Sequence, residues 1–141
     1  MKIFFIGIGA LVLLAIAAIF VLPSPSGTSS NDPSVVATTG LHWHPQLEIF
    51  VKGEKIEIPQ NIGIGAAHQP MHTHDDLPII HLEFPALVRK ADITLKRFFD
   101  IWGKDMSSFG INMSMTVNGK PNTEFGRYVF KDGDKVELRY E

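Results

Sequence analysis

All six histidines of this 141-residue chain lie between positions 42 and 81. Four of them form two pairs with a single residue between the partners, His42/His44 and His72/His74. Residues two apart in an extended segment point to the same side, so each pair can present two imidazoles to one ion. Imidazole is a common ligand of zinc, copper, iron and nickel. The spacing therefore predicts a transition-metal site.

The remaining two histidines differ in context. His81 alternates with apolar neighbours on a predicted strand, whereas His68 fits no such pattern and is interpreted as an ordinary surface or core residue. Asp75 and Asp76 follow the second pair directly. One of these carboxylates either supports a ligand imidazole or joins the coordination shell, or both simply belong to a solvated turn. The predicted metal ligands are His42, His44, His72, His74 and His81.

The choice of metal depends on the other donors. The chain has no cysteine, which rules out disulfides, thiolate-held zinc and cysteine nucleophiles. Met71 adjoins His72, and Met113 and Met115 would share one face of a strand, although core packing is the simpler role for those two. Thioethers beside imidazoles favour a copper ion, with a zinc ion second. Binding should weaken below about pH 6, because imidazoles must be neutral to coordinate.

Three functions are compatible with such a site. The first is a non-catalytic metal carrier, sensor or accessory subunit, which needs only the clustered histidines. The second is a metal-dependent enzyme, for which a facial set such as His72, His74 and Glu83 would be required. The third is a structural subunit of a membrane complex without a metal. A net charge of -2 leaves no basic surface for nucleic acid, and the binder is preferred over the enzyme.

The N-terminus predicts a membrane tether. Residues 3–22 are apolar or glycine and follow a single lysine, and twenty helical residues match the ~30 Å hydrocarbon core. A cleaved signal peptide is the alternative, but its apolar region is normally shorter. We therefore expect a signal-anchor helix at 1–22, a Pro/Ser/Thr/Gly linker at 23–40 and an extracytoplasmic domain at 41–141. The protein would be a single-pass protein of the cell membrane.

Within the domain, periodicity predicts an α+β fold with a small mixed sheet and one amphipathic helix. Leu95, Phe98, Phe99 and Trp102 form the apolar stripe of the helix, which Gly103 would end. Along 42–51 the apolar residues alternate with His42, His44 and Glu48, so the histidines should lie on a face away from the core. The stretch at 70–78 is predicted as loop. The predicted strands are 47–51, 55–58, 79–84, 112–117 and 136–140.

Several motifs together resemble those of a family of membrane-anchored extracytoplasmic proteins of archaea and bacteria. They are HWHPQLEI at 42–49, IPQNIGI at 58–64, HTHD at 72–75, IHLE at 80–83 and FFDIWG at 98–103. The resemblance spans 42–140 and implies a shared site that includes the five predicted ligands and leaves out His68. It implies no particular activity. The last thirty residues, with turns at Asn118-Gly119 and Asp132-Gly133, also resemble the end of a β-grasp domain.

Overall fold

The computed structural model describes residues 32–141, and Pro33–Glu141 form one compact unit. The predicted transmembrane helix at 1–22 and most of the predicted linker lie outside the described residues. Within 32–141, no helix has the length and hydropathy needed to cross a bilayer. The end of the predicted linker differs from expectation, because Val35–Ala37 forms a strand that pairs with Val88–Arg89.

The secondary structure of the described residues is dominated by short strands. The elements in chain order are β1 Val35–Ala37, β2 Leu41–Trp43, β3 Gln46–Val51, β4 Glu54–Ile56, β5 Met71–His72, β6 His81–Phe84, β7 Val88–Arg89, α1 Leu95–Trp102, β8 Ser114–Val117, β9 Lys120–Pro121 and β10 Lys135–Tyr140. They form a two-stranded sheet of β1 and β7, a five-stranded sheet in the order β4-β3-β10-β8-β9, and a three-stranded sheet in the order β2-β6-β5.

The five-stranded sheet holds much of the apolar core. β3 and β4 form the predicted hairpin, and its turn places Lys52 and Gly53 at positive φ. β10 runs parallel to β3 and antiparallel to β8, which makes the sheet mixed. Leu47, Ile49 and Leu138 are completely buried, so each strand contributes one alternating face to the core as its sequence predicts.

The single α-helix of the described residues is the predicted one. The side chain of Thr94 accepts a hydrogen bond from the backbone N–H of Arg97, and Gly103 ends the helix in the left-handed conformation. Phe98 and Phe99 are buried and contact Trp102 through their rings. Mixed sheets with one such helix confirm the α+β class.

The three-stranded sheet departs from the prediction in two respects. The alternating segment 42–51 is divided at Pro45 into β2 and β3, which belong to different sheets. Proline has no backbone N–H to donate, so a ladder is readily interrupted there. The segment 70–78, predicted as loop, also contributes β5. Since β6 is the middle strand, it brings together two segments that are distant in sequence.

Candidate metal centre

His81 lies at the centre of the three-stranded sheet. On one side, β5 pairs with β6 so that His72 is directly opposite His81, and their rings stack with centroids 5.5 Å apart. On the other side, β2 pairs with β6 so that His42 is opposite Glu83. Side chains that are opposite or two residues apart share a face, so both H-x-H segments direct imidazoles to the face that carries His81.

The register between β2 and β6 continues beyond Pro45. The backbone N–H of Ile80 donates to the Pro45 carbonyl at 2.8 Å, and Gln46 forms an isolated antiparallel bridge with Ile79. This register places His44 level with His81, and their ring centroids are 5.0 Å apart. The first pair therefore reaches the same central histidine as the second.

The five predicted ligands form two groups of three that share His81. The first group is His42, His44 and His81, and the second is His72, His74 and His81. Within each group the potential ligand nitrogens lie within 4.8 Å of one another. Nitrogens bound tetrahedrally to zinc at ~2.0–2.1 Å lie about 3.3 Å apart. Side-chain movement of about 1.5 Å or less would therefore close either group on an ion.

His72 is the most buried of the five. The residue is 1% exposed, which differs from the expectation that every histidine lies away from the core. Its Nδ1–H donates to the Gln69 carbonyl at 3.0 Å, and this hydrogen bond directs the lone pair to Nε2. Nε2 is buried and has no hydrogen-bond partner among residues 32–141. Burial lowers the pKa of His72, so the neutral, ligand-competent form predominates at neutral pH.

Thr73 fixes the backbone between the two histidines of the second pair. It is completely buried, and its hydroxyl donates to the Pro59 carbonyl at 2.9 Å and accepts from the Ile62 N–H at 3.0 Å. Its own N–H donates to the Ile62 carbonyl, and its carbonyl accepts from the Asn61 N–H. These bonds hold the second pair in place before any ligand binds.

Asp76 supports His81. Nε2 of His81 lies 3.0 and 3.1 Å from the two carboxylate oxygens of Asp76, and this hydrogen bond lowers the pKa of Asp76. Because the carboxylate only accepts, His81 donates from Nε2 and its free lone pair is on Nδ1. Asp76 thus makes the hydrogen bond that the first alternative expected, and its role in supporting a metal ligand stays a prediction.

Glu83 belongs to neither group of three. Its carboxylate lies 3.2 Å from Nε2 of His42 and 3.8 Å from Nδ1 of His81. The facial set of His72, His74 and Glu83 considered for an enzyme is therefore not among the assembled groups. Glu83 instead places negative charge beside the first pair.

His68, left out of the predicted site, lies against it. Its ring is 4.4 Å from that of His72, in an edge-on contact. It is exposed and belongs to neither group of three. In the sequence, only its four-residue spacing from His72 could have indicated this contact. That spacing predicts proximity in a helix and not in a loop.

Met71, Met113 and Met115, the three methionines considered above, pack in the core. Met71 is opposite Leu82 on the core face of the sheet, and both are completely buried. Met115 is buried in the same core and Met113 packs against it. Core packing, the simpler role considered for Met113 and Met115, is thus the one observed, and the thioether argument for copper no longer applies.

The chain matches no protein-family model, no curated protein and no solved structure.

Proposed function

We propose that this protein binds a transition-metal ion through its clustered histidines and serves as a membrane-tethered, extracytoplasmic metal carrier or accessory subunit. The main support for this proposal is the environment of His72. Its buried Nε2 lacks a hydrogen-bond partner among residues 32–141, and the residue forms a group with His74 and His81. An unpartnered buried polar atom costs about 1–3 kcal/mol. Coordination would remove that cost.

A copper ion is proposed ahead of a zinc ion. The donors in both groups are imidazoles, and imidazole suits both metals. For a given nitrogen site, affinity for divalent metals increases towards copper and decreases again at zinc. Asp76, hydrogen-bonded to His81, supplies the outer carboxylate that usually accompanies a ligand histidine.

The tether is proposed from the apolar residues 3–22. A single N-terminal helix would hold the domain at the outer face of the cell membrane, where a larger membrane complex would be its partner. Membership of the membrane-anchored family that the motifs resemble is part of the same proposal.

The test uses the full-length chain in detergent, purified without a histidine tag. We expect about one Cu²⁺ or Zn²⁺ per chain by elemental analysis, and a rise in unfolding free energy of about 2.7 kcal/mol at a free metal concentration 100 times Kd. The double variant His72→Ala/His74→Ala should show much less of both effects, because only the group of His42, His44 and His81 remains. His68→Ala is the matched control, because it removes a neighbouring imidazole that belongs to neither group. Absence of metal together with unchanged melting would favour the metal-free structural subunit.

A metal-dependent enzyme is the alternative function. Three imidazoles leave a fourth position for water on a tetrahedral ion, as catalytic zinc sites require. An exchangeable water on the bound ion, detected by relaxation or electron-nuclear spectroscopy with Co²⁺ or Cu²⁺, would favour this alternative over the carrier.

The strand order also supports a proposal about the fold. In the five-stranded sheet the hairpin β3–β4 lies at one side, and the last strand, β10, inserts parallel to β3 between the hairpin and β8. Because α1 also lies between the hairpin and β8 in the sequence, we propose that the domain is a β-grasp domain. The three-stranded histidine sheet would then be an addition to that fold.

A further inference from the structure

The two groups of three histidines differ in how accessible they are to solvent. The side chain of His42 is 65% exposed and that of His81 is 12% exposed, whereas His72 as a residue is 1% exposed. We call His42, His44 and His81 the outer group, and His72, His74 and His81 the inner group. An ion in solution therefore meets the outer group first.

Electrostatics favours the same order. The Glu83 carboxylate lies 3.2 Å from Nε2 of His42, and its side chain is 44% exposed. A carboxylate at an accessible position raises the local concentration of cations and their association rate. The Asp76 carboxylate is already hydrogen-bonded to Nε2 of His81. Asp76 contacts the histidine that both groups share, whereas Glu83 contacts His42, which belongs to the outer group alone, so Glu83 favours arrival of the ion at the outer group.

The inner group is held more firmly. The hydrogen bond to Gln69 sets the tautomer of His72, and Thr73 anchors the backbone between His72 and His74. Preorganised ligands lose less conformational entropy on binding. The inner group should therefore bind the ion more tightly than the outer group.

While it is hydrogen-bonded to Asp76, His81 can coordinate only one ion and so cannot be a ligand in both groups at once. Nε2–H donates to Asp76, which leaves Nδ1 as its one coordinating nitrogen. Two ions, each held by three imidazoles, would need His81 to lose this proton and bridge them. The shared residue thus limits the cluster to one ion held by three histidines.

On the basis of the proposed metal binding, we propose that the cluster loads in two steps. A divalent copper or zinc ion binds first to the outer group and then passes to the inner group by exchanging His42 and His44 for His72 and His74. The ion stays on His81 throughout, so it is not released to water between the steps. No bond other than the metal–nitrogen bonds is made or broken, and no electron is transferred.

Stopped-flow measurements with Cu²⁺ on the full-length chain in detergent test this order. Trp43 lies between His42 and His44 in the sequence, so its fluorescence reports on the outer group. We expect a fast phase whose rate increases with Cu²⁺ concentration, followed by a slower phase independent of concentration. Equilibrium titration should give one tightly bound ion per chain.

Variants of each group separate the two steps. In His42→Ala/His44→Ala the association rate should fall severalfold, because the exposed ligands are gone, while the equilibrium Kd should change less than it does in the inner-group variant. In His72→Ala/His74→Ala the fast phase should remain, the slow phase should vanish, and affinity should fall by at least about 10- to 100-fold. His74→Ala alone, which leaves buried His72 in place, replaces the double variant if that variant does not fold. His68→Ala should retain both phases.

Two results would overturn the two-step order. One is an equal loss of affinity in the outer and inner variants, which would indicate one site made by all five histidines. The other is tight binding of two ions per chain, which would indicate a bridging His81. By contrast, no binding of Cu²⁺ or Zn²⁺ to the unaltered chain would refute the proposed function itself.

Discussion

Two buried polar side chains, Asp134 beside the five-stranded sheet and His72 in the three-stranded sheet, differ in how fully they are hydrogen-bonded. In the five-stranded region, the Asp134 carboxylate is buried and accepts hydrogen bonds from the Tyr128 hydroxyl, the Lys131 N–H and the Asn118 side-chain amide. In the three-stranded sheet, His72 is also buried, yet one of its two ring nitrogens has no partner within residues 32–141. The neighbours of Asp134 thus satisfy its carboxylate, whereas those of His72 leave Nε2 without a hydrogen bond.

Lack of a partner does not by itself make a binding site. Among the described residues, the Tyr140 hydroxyl is the second buried side-chain atom without a hydrogen bond. Its ring packs against Phe109, with centroids 5.7 Å apart. Neither group of potential metal ligands includes Tyr140 or Phe109. The surrounding side chains therefore determine whether an unpartnered atom can belong to a metal site. The ring of His72 contacts other imidazoles, whereas the ring of Tyr140 contacts Phe109.

The largest effect is expected from Gly63→Ala, which would disturb the three-stranded sheet. Gly63 has φ +73°, and an added Cβ would lie 2.4 Å from the Met71 carbonyl. Strain and overpacking together should lower the free energy of unfolding by about 2–4 kcal/mol, measured by urea denaturation. Gly63 also accepts the Gln69 N–H, and Gln69 holds His72, so metal affinity should fall as well.

Gly53→Ala is the matched control in the five-stranded sheet. Gly53 has φ +86° but an added Cβ would meet nothing within 4 Å. Only the backbone strain of about 1 kcal/mol is expected, with metal affinity unchanged. Equal losses in the two variants would mean that the close approach at Gly63 is unimportant.

A smaller effect is expected from Asp76→Asn. The carboxylate fixes the tautomer of His81, so its loss should weaken metal binding by about 10- to 100-fold. Titration calorimetry with Cu²⁺ would measure this change. Asp75→Asn is the control, because both aspartates are exposed but His81 is hydrogen-bonded to Asp76. If the two variants bind equally well, Asp76 has no supporting role.

The smallest effect is expected in the five-stranded sheet, from Tyr140→Phe. Removing an unpartnered hydroxyl should raise the free energy of unfolding at pH 7 by about 1 kcal/mol. Burial raises the pKa of Tyr140 to about 12, above the ~10 of an unfolded tyrosine. This tyrosine therefore does not change the pH dependence of stability below about pH 10, but its ionisation in the unfolded chain lowers the stability as the pH rises from about 10 towards 12. The variant should consequently lose stability less steeply over this range.

Tyr128 is the second tyrosine of the chain, and Tyr128→Phe is the control for Tyr140→Phe. Its hydroxyl donates to Asp134, so this variant should be less stable than the unaltered chain at pH 7. Thermal unfolding followed by circular dichroism would measure both. Destabilisation by Tyr140→Phe at pH 7 would indicate that its hydroxyl has a partner in solution.

Much of the fold follows from local patterns in the sequence. The β3–β4 hairpin, the capped helix α1 and the last strand all lie where alternation, the 3.6-residue stripe and the turn residues predict them. The division at Pro45 and the short strand β5 were missed. Strand β5 has only two residues, which are too few to show a periodic pattern. A proline such as Pro45 can either interrupt a strand or lie at the edge of a sheet, so its effect is not evident from the sequence.

The sequence by itself determined that the histidines are concentrated in forty residues, that two pairs have the spacing for a common face, and that no thiolate competes with them. Only the tertiary structure decided which of them meet. Pairing of β6 with both β2 and β5 places His81 between segments thirty residues apart, and local periodicity does not encode such long-range pairing. In the folded domain His72 is buried, and Asp76 rather than Asp75 hydrogen-bonds to His81. His68 lies at the edge of the cluster, against the ring of His72.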